Sequence, residues 1–110
     1  MADQEKFPEE VFYFRDFTIP ERMRPDLLRY VRDGIKPGRF LQAVICNNLS
    51  LTVAHADEEN VVLLPAYMGF FYWHAPSECS GSKEKMEAWI EAKQKERDAE
   101  KVESWKGAGE

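Results

Sequence analysis

The chain is poor in the features that would commit it to a special environment. It has only two cysteines, Cys46 and Cys79, which are too few for a disulfide framework, and we therefore expect reduced thiols. No apolar run is long enough to span a bilayer, and the charged N-terminus lacks the apolar core of a signal peptide. These absences predict a cytoplasmic protein that does not associate with membranes.

The chain also has fewer basic than acidic residues. Fifteen Lys and Arg stand against twenty Asp and Glu, so the formal net charge is -5. General binding to nucleic acid depends on basic residues that neutralise phosphates, and direct DNA binding is therefore not expected of this chain. Phosphate loops, dinucleotide-binding turns and nucleophile elbows are absent from the sequence as well.

What the sequence does contain is a pattern of helices. Its 110 residues, 44% of them hydrophobic, suffice for one domain with a real core. We expect an all-α fold, a compact bundle of four to five helices over residues 19–106, with a tail at 107–110. Residues 1–18 form a short N-terminal arm, in which the aromatic stretch from Val11 to Phe17 predicts an extended segment. A lone strand must pair, and the sequence leaves open whether it pairs within the chain or with another subunit.

The centre of the helical pattern is a corner between two helices. After a short turn at residues 20–24, the first helix is predicted from about Pro25 to Asp33. Gly34 stands where a left-handed C-cap is needed, and Pro37-Gly38 completes the turn. The second helix follows from about Gly38 to Asn47, and its apolar stripe is turned towards that of the first helix.

Two further helices are predicted after the corner. A short helix spans Leu49 to Ala56, and Asp57 then caps a helix that includes Val61 to Trp73. The helix that includes Val61 to Trp73 is apolar on nearly every face, and Pro65 is expected to kink or restart it. Such a helix belongs at the centre of the core, or is buried on two sides by its own domain and a partner. We therefore expect a homo-oligomer.

The last predicted helix is the most polar. Ser82 is a suitable N-cap, and a charged run from Glu91 to Lys101 continues the helix as a solvated extension. Trp105 follows near the end of the chain. The sequence leaves open whether it docks on a subunit or is exposed.

Candidate catalytic and metal-binding residues are few. Cys46, Cys79, His55 and His74 have the atoms that zinc prefers but not the short spacing of a structural site, and no metal or cofactor is predicted. A Cys46–His55 nucleophile pair has no support from the local sequence. The acids at Asp57–Glu59 are explained by helix capping rather than by acid–base chemistry. We therefore expect a protein that is not an enzyme.

Basic residues cluster around the corner, within an otherwise acidic chain. Guanidinium groups fork onto phosphate oxygens, and aromatic rings stack on bases, so this region is the candidate site for an anionic ligand. The alternative is a solvated face in which the arginines pair with carboxylates. The predicted ligand-binding residues are Arg22, Arg29, Tyr30, Arg32, Gly38, Arg39 and Trp73.

About two thirds of the chain resembles a known group of sequences. The segments IPERMRPDLLRYVRDGIKPGRFLQAVICNNL, ADEEN and APSECSGSKEKMEAWI are similar to small uncharacterised helical proteins encoded by phages and prophages of proteobacteria. The group's pattern matches at Gly34-Ile35, Pro37-Gly38, Asn47, Asp57 and Asn60. Asn48 and Ser80 depart from it, because the group usually has Asp and Trp there, so a ligand contact at either position would differ in this chain.

The resemblance implies an origin rather than a reaction. Small accessory phage proteins often act on host systems, and we expect a non-enzymatic binding protein that counteracts a host defence in the bacterial cytoplasm. The leading hypothesis is that it sequesters a small nucleotide signal or another anionic ligand. The alternative is an acidic inhibitor that docks on a host defence complex and blocks its nucleic-acid site.

Overall fold

The structure is a computed structural model that describes residues 8–109, with side chains for residues 8–101. Within that range the chain is mostly helical, which confirms the predicted fold class in outline, and it contains one two-stranded sheet. No helix in this range is both long and apolar enough to cross a membrane. The strands are β1 (Tyr13–Phe14) and β2 (Phe17–Thr18), and the α-helices are α1 (Arg24–Asp33), α2 (Arg39–Ile45), α3 (Leu49–His55), α4 (Glu58–Val61), α5 (Leu64–Gly69) and α6 (Lys83–Gly109).

The N-terminal arm pairs within the chain. β1 and β2 form an antiparallel hairpin in which Tyr13 faces Thr18 and Phe14 faces Phe17. A 3-10 helix at Glu9–Phe12, which the sequence did not suggest, precedes the hairpin. Phe12 is buried and its ring stacks on Phe70 with centroids 6.1 Å apart, so the arm is packed onto the helices. Residues 1–7 lie outside the described part.

The corner between α1 and α2 follows the prediction. Gly34 has φ 67, and its N–H donates a hydrogen bond to the carbonyl oxygen of Tyr30. The N–H of Ile35 donates a hydrogen bond to the carbonyl oxygen of Arg29. These two bonds satisfy two of the last carbonyls of α1, and the bond from Gly34 to Tyr30 is that of an αL C-cap. Gly38 has extended backbone and occupies the N-cap of α2.

Side chains cap the next two helices, and the cap at Asp57 is as expected. The Asn48 side chain accepts a hydrogen bond from the N–H of Leu51 at the start of α3, and Asp57 accepts one from the N–H of Asn60 at the start of α4. Asn60 is buried, and its Oδ1 accepts a hydrogen bond of 2.6 Å from the Tyr67 hydroxyl. Asp57 and Asn60, two of the positions on which the predicted resemblance rests, therefore have structural roles here.

The expected restart of the helix at Pro65 is confirmed, but the chain itself buries only part of the apolar stretch from Val61 to Trp73. The chain breaks between α4 and α5, where Pro65 stands in the first turn of the new helix, and α5 continues as a π-helix at Phe70–His74. Phe70 and Phe71 are buried, but Tyr72 and Trp73 are 78% and 67% exposed. An apolar residue is buried only where another element covers it, and within the described chain nothing covers these two rings.

The core lies between α1, α2, α5 and the start of α6. Its largest fully buried side chains are Tyr30, Tyr67, Phe70, Ile19, Leu27, Ile45 and Cys79. Ser82 caps α6 through a hydrogen bond from the N–H of Lys85, as predicted. The helix extends through the predicted tail to Gly109, and the docking of Trp105 lies outside the described side chains.

Candidate functional site

Two of the predicted ligand-binding arginines are paired with carboxylates. Arg22 donates to Glu59 at 2.6 Å and to Asp57 at 3.0 Å, and thereby ties the segment before α1 to the start of α4. Hydrogen bonds to Glu59 and Asp57 raise the pKa of Arg22 above its usual value. Arg29 pairs with Asp26 one turn away on α1. Both guanidinium groups therefore follow the alternative interpretation, in which the arginines neutralise surface acids.

Tyr30 is a core residue. Its side chain has no exposed surface, and its hydroxyl donates a 2.6 Å hydrogen bond to the carbonyl oxygen of Cys79. Burial raises the pKa of the Tyr30 hydroxyl well above its usual range. The ring is therefore not available to stack on a ligand in this structure.

Arg32 and Trp73 do lie around one groove, of about 860 Å³, between the end of α1, the π-helix and α6. Lys93 also lines this groove, with its Nζ 4.8 Å from the centroid of the Trp89 ring. However, Asp33 and Glu100 line it too, so the two cations are offset by two carboxylates. Its charge does not favour an anion over a cation.

Arg39 and Lys83 line a different groove, which we call the cationic groove. It has a volume of about 400 Å³ and lies between α2, α3 and the first turns of α6. No carboxylate among the described residues lines it, although Lys83 makes a long contact of 4.0 Å with Glu87. Within the described chain Arg39 makes no ion pair. The lining consists of Arg39, Gln42, Ala43, Cys46, Asn48, Leu51, His55, Lys83 and Met86.

The cationic groove also brings together Cys46 and His55, the pair considered for nucleophilic chemistry. The Cys46 sulfur lies 3.8 Å from the sulfur of Met86, and burial raises the pKa of the Cys46 thiol. A raised pKa keeps the thiol protonated, which is the opposite of what a nucleophilic cysteine requires. Among the described residues, no group of three or more His, Cys, Asp and Glu side chains is placed to hold a metal ion.

A second large groove has aromatic walls, and we call it the aromatic groove. It has a volume of about 780 Å³, within the range of small-molecule and peptide sites. No charged side chain of the described chain lines it. The lining consists of Phe14, Val44, Asn47, Pro65, Met68, Gly69, Phe71, Tyr72, Trp73, Ser77, Ser80 and Gly81.

The hairpin and the π-helix build the aromatic groove together. Gly69, the last residue of α5, permits the close approach of the hairpin, because a Cβ atom at this position would lie 2.9 Å from the Phe14 ring. Arg15, in the hairpin turn, has φ 57, and its guanidinium carbon lies 5.0 Å from the centroid of the Phe14 ring. Among the predicted ligand residues, only Trp73 lines this groove.

Sequence reasoning missed most of both grooves. The sequence places Lys83 in the first turn of the last helix but gives it no site role, and it predicts Tyr72 within a central helix. The available signal was the lack of any polar face between Val61 and Trp73, which leaves either burial or an exposed apolar surface as the outcome.

Comparison of the chain with protein-family models, with curated protein sequences and with solved structures gave no match. The resemblance to phage proteins therefore stays a hypothesis.

Proposed function

We propose that the protein is a non-enzymatic binding protein that holds a small anionic ligand in the cationic groove. The supporting observation is that Arg39 and Lys83 line one groove with no carboxylate of the described chain, in a protein of net charge -5. Like charges that converge in a concave, partly apolar site attract a counterion more strongly than the same charges on a flat surface. The two cations therefore favour binding of an anion in this groove, although the protein as a whole is acidic.

The lining also favours a particular class of anion. Ala43, Leu51 and Met86 give the groove an apolar wall, whereas Gln42 and Asn48 bring amide groups. Phosphate oxygens suit the two cations, and a ring suits the apolar wall, so a nucleotide-type ligand matches the lining better than a free inorganic ion. At about 400 Å³ the groove suits a ligand of roughly mononucleotide size.

The biological part of the proposal rests on the resemblance to phage accessory proteins. A phage protein that binds a nucleotide signal without chemical turnover lowers its free concentration and so weakens a host defence that depends on it. The protein would be needed in amounts comparable to those of the signal, because each groove removes one ligand molecule at a time.

The binding proposal is tested by calorimetry with a panel of mononucleotides, cyclic nucleotides and pyrophosphate. We expect at least one nucleotide to bind, with an affinity that falls as salt is added. Arg39→Gln and Lys83→Gln should each weaken binding about tenfold, as expected for loss of a charge-assisted hydrogen bond. Arg29→Gln is the matched control, because Arg29 is exposed and pairs with Asp26 outside this groove.

The absence of binding by every member of the panel would remove the proposal. Binding that Arg39→Gln and Lys83→Gln leave unchanged would place the ligand elsewhere. For the biological part, phage plating on a host with a nucleotide-signalled defence should improve when the wild type is expressed, and the Arg39→Gln/Lys83→Gln double variant should give no improvement.

A further inference from the structure

The aromatic groove goes beyond the proposed anion site and lies in a different part of the molecule. We propose that it is a docking surface for a segment of another protein that carries a large apolar side chain and, next to it, a carboxylate. Three observations support this assignment: the exposure of its rings, the length of its apolar surface and the position of Arg15.

The rings of the groove project from the surface instead of closing over its contents. Tyr72 and Trp73 stand at 78% and 67% exposure, with their ring centroids 4.8 Å apart in an edge-to-face arrangement. A small-molecule site normally encloses most of its ligand, which two projecting rings do not do. Tyr and Trp in this position are typical of the anchor residues of protein–protein interfaces.

The apolar surface is longer than the groove itself. Met68 lines both the aromatic groove and a small neighbouring cleft, and Leu49 lines that cleft from the start of α3. Leu49 is 72% exposed. The apolar strip therefore runs from the π-helix to α3, which suits an extended or helical segment better than a single compact ligand.

Arg15 supplies the charge that the partner must match. Its guanidinium group is held over the ring of Phe14, which lines the groove, although Arg15 itself is not part of the lining. The described lining is uncharged, and within the described chain Arg15 makes no ion pair. Arg15 is also one of two non-glycine residues in the described range with positive φ, a conformation that costs free energy. A carboxylate of the partner, one or two residues from its apolar anchor, would complete the pairing.

The proposal is tested by panning a displayed random-peptide library on the wild-type protein, with counter-selection on the Tyr72→Ala/Trp73→Ala variant. We expect the retained peptides to share a large apolar residue close to Asp or Glu. Their affinity should fall at least about tenfold in the Trp73→Ala variant, the usual loss on removing an interface anchor. Val62→Ser is the matched control, since Val62 is an exposed apolar residue that does not line the groove.

The role of Arg15 is isolated by a double-mutant cycle. Arg15→Gln and a change of the peptide's acid to its amide should each weaken binding several-fold, and the two together should weaken it little more than either alone. Arg15→Lys should recover part of the loss. Thermal denaturation of each variant confirms that the fold is retained.

Several results would overturn the inference. Peptides enriched without an acidic residue, or binding that Arg15→Gln leaves unchanged, would refute the charge pairing. A wild-type dimer in solution that Trp73→Ala converts to a monomer would assign the groove to a second copy of the chain. Failure of the library to yield any peptide that Tyr72→Ala/Trp73→Ala rejects would refute docking of a segment, while leaving the nucleotide test of the cationic groove unaffected.

Discussion

The hydroxyl of Tyr30 donates a 2.6 Å hydrogen bond to the carbonyl oxygen of Cys79, 49 residues further along the chain. Both residues are fully buried, and the backbone oxygen of Tyr30 in turn accepts a hydrogen bond of 3.1 Å from the indole N–H of Trp89. Tyr30 of α1 thus contacts both the 3-10 helix at Ser77–Cys79 and α6, which follows it. The corner that first suggested a ligand site is held by core contacts on its inner face.

Tyr30→Phe tests this structural role. The change leaves the buried Cys79 carbonyl without its partner, which should lower the free energy of unfolding by about 1–3 kcal/mol. Urea denaturation followed by circular dichroism measures the loss. Tyr13→Phe is the control, since Tyr13 is exposed and should change stability by less than about 0.5 kcal/mol. A ligand that binds the wild type but not Tyr30→Phe, at equal folded fraction, would instead support the predicted binding role of Tyr30.

Gly34→Ala should be one of the most damaging single changes in the corner. The residue has φ 67, and a Cβ atom there would lie 2.4 Å from the Cβ of Lys93 on α6. Left-handed backbone and steric overlap each cost about 1–2 kcal/mol, so we expect a loss of roughly 2–4 kcal/mol in the free energy of unfolding. Chemical denaturation provides the measurement.

Gly38→Ala is the matched control in the same corner. A Cβ atom added at this position would have no neighbouring side chain or distant backbone atom within 4 Å, and the φ of -71 is accessible to any residue. The loss should stay below about 1 kcal/mol, the usual range for such a change at an N-cap. Equal losses at Gly34 and Gly38 would contradict the close packing of α6 on the corner.

The caps and the corner were predictable because each is decided by a few neighbouring residues. Gly34 ends α1, and Asp57 and Ser82 begin later helices, through hydrogen bonds that reach no further than one turn. The hairpin was only half predictable. Aromatic composition indicated an extended segment, but the choice between a partner in the chain and a partner in another subunit depends on the turn at Arg15 and on packing against Gly69.

The grooves were not predictable, because residues far apart in the sequence form them. Arg39 begins α2 and Lys83 begins α6, and nothing near either residue indicates that they share a groove. The exposure of the two rings at the end of the apolar stretch was not predictable for a related reason. Hydrophobicity alone does not say which face another element covers, and here the π-helix turns Tyr72 and Trp73 outward.

The Asp57 cap makes stability dependent on pH. The hydrogen bond from the N–H of Asn60, and then the bond from Arg22, hold the pKa of Asp57 below its ordinary value of 3.8. A carboxyl group with a depressed folded-state pKa stabilises the protein above its unfolded-state pKa, and this contribution is lost as pH falls through the folded-state value. Asp57 therefore contributes fully near neutral pH and progressively less below about pH 4.

Asp57→Asn should keep a competent N-cap while removing this titration. We expect a slightly lower melting temperature at pH 7 and a smaller drop between pH 5 and the most acidic pH at which the protein still folds. Arg22→Gln should give an intermediate pH profile, since the Asn60 bond remains. Identical pH profiles for wild type and Asp57→Asn would show that the cap carboxylate adds nothing to acid stability.

Thiol labelling tests the burial of both cysteines and the cationic groove together. Burial raises the pKa of Cys79 to about 11 and also raises that of Cys46, so both thiols should be mostly protonated at neutral pH. Iodoacetamide should modify the half-buried Cys46 slowly. The rate should rise about tenfold for each pH unit as long as the pH is below the pKa of Cys46. The fully buried Cys79 should be modified only when the protein unfolds.

A nucleotide bound in the cationic groove should slow the labelling of Cys46 further, because Cys46 lines that groove beside Met86. It should leave the labelling of Cys79 in denaturant unchanged. Arg39→Gln should raise the nucleotide concentration needed for half-maximal protection of Cys46 about tenfold. It should alter the labelling rate in the absence of nucleotide by no more than about twofold, as expected when a single exposed charge is removed. Mass spectrometry of the labelled peptides gives both rates in one experiment. Protection of Cys46 at the same nucleotide concentrations in Arg39→Gln as in the wild type would mean that the ligand acts on Cys46 from outside the groove.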